Sequence, residues 1–280
     1  MEMAAERYNI KSYDSFNSLM FDDEKERAIS LYHQQDYQQS LTIFQGLLLR
    51  ITAPEERAGI LIFQCRCQEN LGLFVDARSS LEEARRVGKE GLDPDYEARL
   101  RYFEAGIDAR EGKDKESLRK LDSLLQLNKE LLATPELRDL YEGIQILRAG
   151  RLQNLDRPHE ALPLFLEAQN YKAEKPDDFL CRTAYCLAKC GEIAPAKALI
   201  SRVMQSSLDP AQENTARYYL AGIFVINGEY AKAFEELQFC ERHLDQFELA
   251  IPALMQSLAY VCEKLGLSKQ AFSYRRASAQ

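Results

Sequence analysis

Residues 217–237 read RYYLAGIFVINGEYAKAFEEL: Ala221 lies in an apolar run, Asn227-Gly228 interrupts it, and Ala233 follows Ala221 by twelve positions. This stretch describes two helices folded back on one another. Gly228 can adopt the left-handed conformation that ends a helix. The small side chains of Ala221 and Ala233 let the two backbones approach, and Leu237 fills the space beside that contact.

The same arrangement recurs outward in both directions. Small residues stand at Ala28, Cys65, Ala105, Ala149, Ala184, Ala221 and Ala259, and twelve positions after each comes a second: Ser40, Ala77, Ser117, Ala161, Ala196, Ala233 and Ala271. Four residues further lie Phe44, Leu81, Leu121, Phe165, Ile200 and Leu237, with Arg275 breaking the series. Glycines occupy five of the intervening turns, and Gln35-Asp36 and Asp156 stand in the other two. Pro54, Pro94, Pro135, Pro176, Pro210 and Pro252 punctuate the joints, where a helix can start or stop but not continue. A lone hairpin cannot bury its apolar face, whereas stacked hairpins can. The spacing therefore predicts an α-solenoid rather than one or two globular domains or a helical bundle.

Arg217-x₂-Leu220-Ala221-x₂-Phe224 followed by Ala233-x₃-Leu237 resembles the tetratricopeptide repeat, as do Leu180-x₂-Thr183-Ala184-x₂-Leu187 with Ala196-x₃-Ile200, and Asp36-Tyr37 before Ser40-x₃-Phe44. The resemblance implies an all-α fold, a right-handed α-solenoid of about seven tetratricopeptide-like helix-turn-helix repeats. An N-terminal segment would span 1–20, and a single solenoid 21–280, with units near 21–57, 58–97, 98–139, 140–176, 177–212, 213–250 and 251–280. The chain departs from the family in having no Trp and a repeat of about 38 residues, which longer helices or links in units two to four would absorb. Leu118 to Leu132 carries one long helical pattern, and Pro163 should kink or delay the helix that Pro158 begins.

Composition narrows the function. The 280 residues carry 36 Lys plus Arg against 44 Asp plus Glu, a net charge of −8, which disfavours a general nucleic-acid binder. No apolar run approaches the ~20 residues of a membrane span, and the acidic start Met1–Glu6 is unlike a signal peptide. Seven cysteines without C-x-x-C spacing read as reduced thiols in the cytoplasm. Cys181, Cys186 and Cys190 share one segment with no nearby His, so no metal site and no cofactor are expected. His33, His159 and His243 lie in different units and no catalytic motif is present, so the chain is not expected to be an enzyme.

Function must then reside on a surface. At 100° per residue, one stripe of each first helix falls opposite its packing side, and the resemblance implies that this stripe lines a concave groove. It carries Arg66, Asn70, Arg99, Tyr102, Arg110, Asn154, Tyr185, Lys189, Tyr218 and Tyr260, the candidate partner-binding residues. Its charges comprise six bases (Lys25, Arg66, Arg99, Arg110, Lys189, Lys264) and four acids (Asp22, Glu69, Asp178, Glu263), which suggests a mildly basic groove for a peptide or protein segment of acidic character. Tyr and Arg concentrate at binding hot spots. The tyrosines could equally cover the core. On the binding reading, Arg66 and Arg110 should be replaceable without loss of stability. Gly59, Gly106, Gly143, Gly150 and Gly222 on the same helices imply close approach, either of neighbouring helices or of a ligand backbone. The chain reads as a non-catalytic interaction module: an adaptor, scaffold or co-chaperone-like protein. A regulatory sensor of a small signal or effector protein, and a self-associating or structural subunit, are the alternatives.

Overall fold

The computed structural model describes residues 22–88, 94–171, 175–176, 178–206, 209–244 and 251–278. The segment 1–20 and the Asp22 side chain lie outside the described residues. Those described form fifteen α-helices and no strand. They are α1 (Asp22–His33), α2 (Tyr37–Leu48), α3 (Pro54–Asn70), α4 (Phe74–Gly88), α5 (Pro94–Arg110), α6 (Asp114–Leu127), α7 (Lys129–Leu132) and α8 (Arg138–Asn154). After them come α9 (Pro158–Ala168), α10 (Phe179–Lys189), α11 (Ile193–Gln205), α12 (Pro210–Ile226), α13 (Tyr230–Arg242), α14 (Ile251–Lys264) and α15 (Ser268–Ser278). A 3₁₀ turn, Pro135–Leu137, precedes α8.

The turns form for the reasons the sequence suggests. Gly228 ends α12 with φ 76°, a value that L-residues rarely adopt. Gln35 and Asp156 take the same left-handed conformation at 64° and 55°. Pro54, Pro158 and Pro210 open their helices, and Asp209 adds a capping box with Gln212.

The residues spaced by twelve are buried. All fourteen small residues are at most 3% exposed. In two hairpins the contact is a hydrogen bond: Ser40 donates to the Ala28 carbonyl at 2.8 Å, and Ser117 to that of Ala105 at 2.7 Å. Phe44, Leu81, Leu121, Phe165, Ile200 and Leu237 are at most 1% exposed, each burial contributing roughly 1.5–3 kcal/mol. Arg275, at the same position of the last hairpin, is exposed and pairs with Glu263.

Contacts divide the described residues into two compact units, one running to Leu155 with Asn170 and Tyr171, the other comprising Asp156–Gln169 and the residues from Lys175 onward. In the first, α1/α2, α3/α4 and α5/α6 form hairpins, and α8 packs on α5 and α6. In the second, α10/α11, α12/α13 and α14/α15 form hairpins, and α9 packs on α10. The expected long helices are present, α3, α5 and α8 having 17 residues each. The pattern from Leu118 to Leu132 is not one helix, because the chain leaves helical geometry at Asn128 and α7 and the 3₁₀ turn follow. Pro163 does not delay α9, which starts at Pro158 and carries Pro163 on an exposed side.

Candidate functional site

In the first unit the stripe residues are held by one another. Glu69, 3% exposed, lies between two arginines, accepting from Arg66 at 2.8 Å and pairing with Arg110 at 3.0 Å. Arg66 is itself only 8% exposed, and its guanidinium lies 5.5 Å from the centre of the Phe103 ring. Asn70 turns back to the Arg66 carbonyl. Arg99 pairs with Asp139 across α5 and α8. Asp114 accepts from Arg151 at 2.7 Å and from Asn154 at 3.2 Å. The Tyr102 hydroxyl reaches Gly143 of α8, where an added Cβ would lie 3.1 Å from it.

In the second unit the corresponding surface is aromatic. The Tyr185 ring covers Gly222 of α12, 2.9 Å from where a Cβ would stand, and meets Tyr219 edge-on. Tyr218 and the Ser257 hydroxyl lie 3.3 Å apart, joining α12 to α14. Lys189 pairs with Asp156 at 2.9 Å, which holds its pKa above the ordinary lysine value, and it also lies over the Tyr185 ring. Asp178 accepts from Arg182 at 2.6 Å and from the Tyr219 hydroxyl, whose titration burial pushes far upward. Tyr260 is 45% exposed, with the Lys264 ammonium 5.4 Å from its ring centre.

One placement corrects an expectation. Arg66 is not replaceable without cost, because it is buried against Glu69 and Phe103. Off-stripe partners take up stripe charges of both signs: Asp139 and Asp156 pair with Arg99 and Lys189, and Arg182 and Arg275 pair with Asp178 and Glu263, so these pairs leave the balance of the stripe as it was. Gly143 and Gly222 lie tightly under tyrosines of the preceding first helix, Tyr102 and Tyr185, so repeat-to-repeat packing accounts for these two, whereas a Cβ at Gly106 would meet Glu69 only at 3.7 Å.

Sequence reasoning missed several buried polar residues that fasten helices and hairpins. Asp108, 2% exposed, holds Arg78 at 2.7 Å and Lys120 at 2.6 Å. Glu142, 2% exposed, is bound by Arg138, and the fully buried Asn214 donates to the His243 carbonyl. Of these contacts only Arg78 to Asp108 crosses to the following hairpin, 30 residues on. Burial raises the Cys67 thiol to about 11 and those of Cys181, Cys186 and Cys240 to about 12, so none is a ready thiolate. No group of residues suited to a metal ion occurs among those described. Among the described residues no helix is long and apolar enough to cross a membrane.

The paired small residues, left-handed turns and stacked hairpins define a tetratricopeptide-like α-solenoid fold. Comparison with solved structures agrees. The chain is similar to NprR in complex with its cognate peptide NprX, with 16% identity, a TM-score of 0.69, and 94% of this chain covering 79% of that one. It is similar to a Rap protein complexed with competence and sporulation factor at 15% identity and TM-score 0.62, over 96% of this chain and 77% of that one. The apo quorum sensor NprR from B. thuringiensis gives 16% and 0.64, over 92% and 74%. No protein-family model matches the sequence, and no curated protein matches it.

Proposed function

We propose that this protein is a non-catalytic binding module that holds a peptide, or an exposed segment of a partner protein, against the first-helix stripe of a solenoid continuous from 21 to 280. The observation that carries this reading is the likeness over almost the whole chain to two structures solved as complexes, one with its cognate peptide and one with competence and sporulation factor. The tyrosines Tyr185, Tyr218 and Tyr260 support it, since they offer amphipathic contact area with few torsions to immobilise. Arg66, Arg99, Tyr102, Arg110 and Asn154 serve chiefly to hold the hairpins in register, with Arg110, half exposed, the one best able to touch a partner as well, while Asn70 bonds back to its own helix.

A regulatory role is the second reading, favoured by the likeness to a protein described as a quorum sensor. In that reading the bound peptide is a signal, and a cytoplasmic setting with reduced thiols suits it. The test is selection of a displayed random dodecapeptide library on the immobilised chain, followed by calorimetry of the enriched sequence. A related set of peptides should emerge, with Tyr218→Ala weakening binding about tenfold. Failure to enrich any peptide family would remove the reading.

A further inference from the structure

Two tyrosine–lysine pairs occupy the same register in the second unit. Tyr185 and Lys189 follow Ala184 by one and five residues on α10, and Tyr260 and Lys264 follow Ala259 by one and five on α14. In both, the ammonium lies over the ring, at 5.9 and 5.4 Å from its centre. The first pair is filled. Its ring rests on Gly222, a backbone without a Cβ, and its lysine holds the Asp156 carboxylate at 2.9 Å. The second has neither complement. Tyr260 is 45% exposed, and Lys264 is exposed with no carboxylate at ion-pair distance among the described residues.

We propose that Tyr260 and Lys264 form a subsite for an acidic side chain of an extended peptide, the charge that Lys189 already receives from Asp156 within the chain. The inference rests on the peptide-binding reading above and adds the residue chemistry it selects. Electrostatics around the pair allow it. Glu263, the nearest acid in sequence, is engaged by Arg275 and so does not occupy or repel at Lys264. The C-terminal end of α14 carries partial negative charge, but α10 ends at Lys189 in the same way and still holds Asp156. An ammonium already resting on a ring has part of its water removed, which strengthens an added carboxylate contact.

The test uses the whole chain and two fluorescein-labelled, N-acetylated, C-amidated hexapeptide pools with randomised flanks, one with Glu-Gly at the centre and one with Gln-Gly. Anisotropy should show the Glu-Gly pool binding about tenfold tighter, in line with a hydrogen bond to a charged group. Lys264→Met should reduce that ratio to about one, whereas Lys189→Met should leave it unchanged. Tyr260→Ala should weaken both pools. Melting temperatures of the three variants verify that each is folded. Equal binding of the two pools by the native chain, or a preference that survives Lys264→Met, overturns the subsite. If neither pool binds while a display-selected peptide does, the subsite falls and the peptide-binding reading stands; if display also yields nothing, both fall.

Discussion

Two joints, α3 to α5 in the first unit and α10 to α12 in the second, fasten the same kind of helical hairpin to its neighbour with different chemistry. Between α3 and α5 the fastening is a buried carboxylate gripped by two arginines, Glu69 with Arg66 and Arg110. Between α10 and α12 it is an aromatic ring laid on a glycine, Tyr185 on Gly222. An ion pair uses up the directional capacity of its groups, so the stripe of the first unit has little left for a ligand. An aromatic contact spends no charge, and Tyr260 on the same stripe is 45% exposed. The difference teaches that charge on a solenoid stripe is a poor guide to where a partner binds, because the same charges are what the repeats use on each other.

The largest expected effect tests the ionic side of this contrast. Glu69→Leu leaves the Arg66 guanidinium buried without its carboxylate, at a cost of about 3 kcal/mol. Each repeat contacts only its neighbours. Hydrogen exchange should therefore show lost protection centred on α3 and α5 and little change in α12 and α14. Replacing both partners, Arg66→Met with Glu69→Leu, should recover most of the loss, since an apolar pair of similar volume needs no charge compensation. Uniform loss of protection in both units would break the comparison.

That contrast also explains what could and could not be read in the sequence. Ala221 and Ala233 were legible because steric closeness is encoded in single residues at a fixed offset within one hairpin, and both are at most 1% exposed. The left-handed turns were legible for the same reason. Glu69 was legible as a stripe acid but not as a buried one, since its burial depends on Arg110, one repeat later, and on the tilt between α3 and α5. Arg99 looked free until α8 supplied Asp139, 40 residues on. Pairings of that range depend on the varying length of the links, among them α7 and the 3₁₀ turn, which no local pattern reports.

A middle-sized effect comes from two glycines at the same register, one in each unit. Gly106 and Gly222 both follow the small residue of their first helix by one position. A Cβ at Gly106 would meet only the Glu69 Oε1, at an ordinary 3.7 Å, whereas one at Gly222 would sit 2.9 Å from the Tyr185 ring. Gly106→Ala should therefore stabilise by roughly 0.5–1 kcal/mol through helix propensity. Gly222→Ala should lose about 1 kcal/mol, overpacking outweighing the same propensity gain. Denaturant melts give the numbers, and a Tyr185→Leu background should abolish the difference between the two sites. Equal tolerance at both positions would show that the ring does not depend on the glycine.

The smallest effect marks where the two units agree. Arg78 on α4 and Lys197 on α11 each stand one residue after the small residue of a second helix, and each reaches an acid of the following hairpin. Arg78 takes Asp108 and Glu111, and Lys197 takes Glu229, so this stitch is ionic in both units. Hydrogen bonds from Lys197, Lys232 and Asn227 hold the Glu229 carboxyl down to about 2, against an ordinary 4.5. A carboxylate whose pKa is depressed by folding stabilises the fold fully above its unfolded value. Its contribution is lost as the pH falls from about 4.5 toward 2. Carboxyl-carbon NMR should therefore place the Glu229 midpoint near 2 in the native chain. Lys197→Met should move it upward but not all the way to 4.5, since Lys232 and Asn227 remain. A native midpoint at the ordinary value would mean that Lys197 does not fasten α11 to the following hairpin, and the contrast with Arg78 in the first unit would be sharper than the geometry implies.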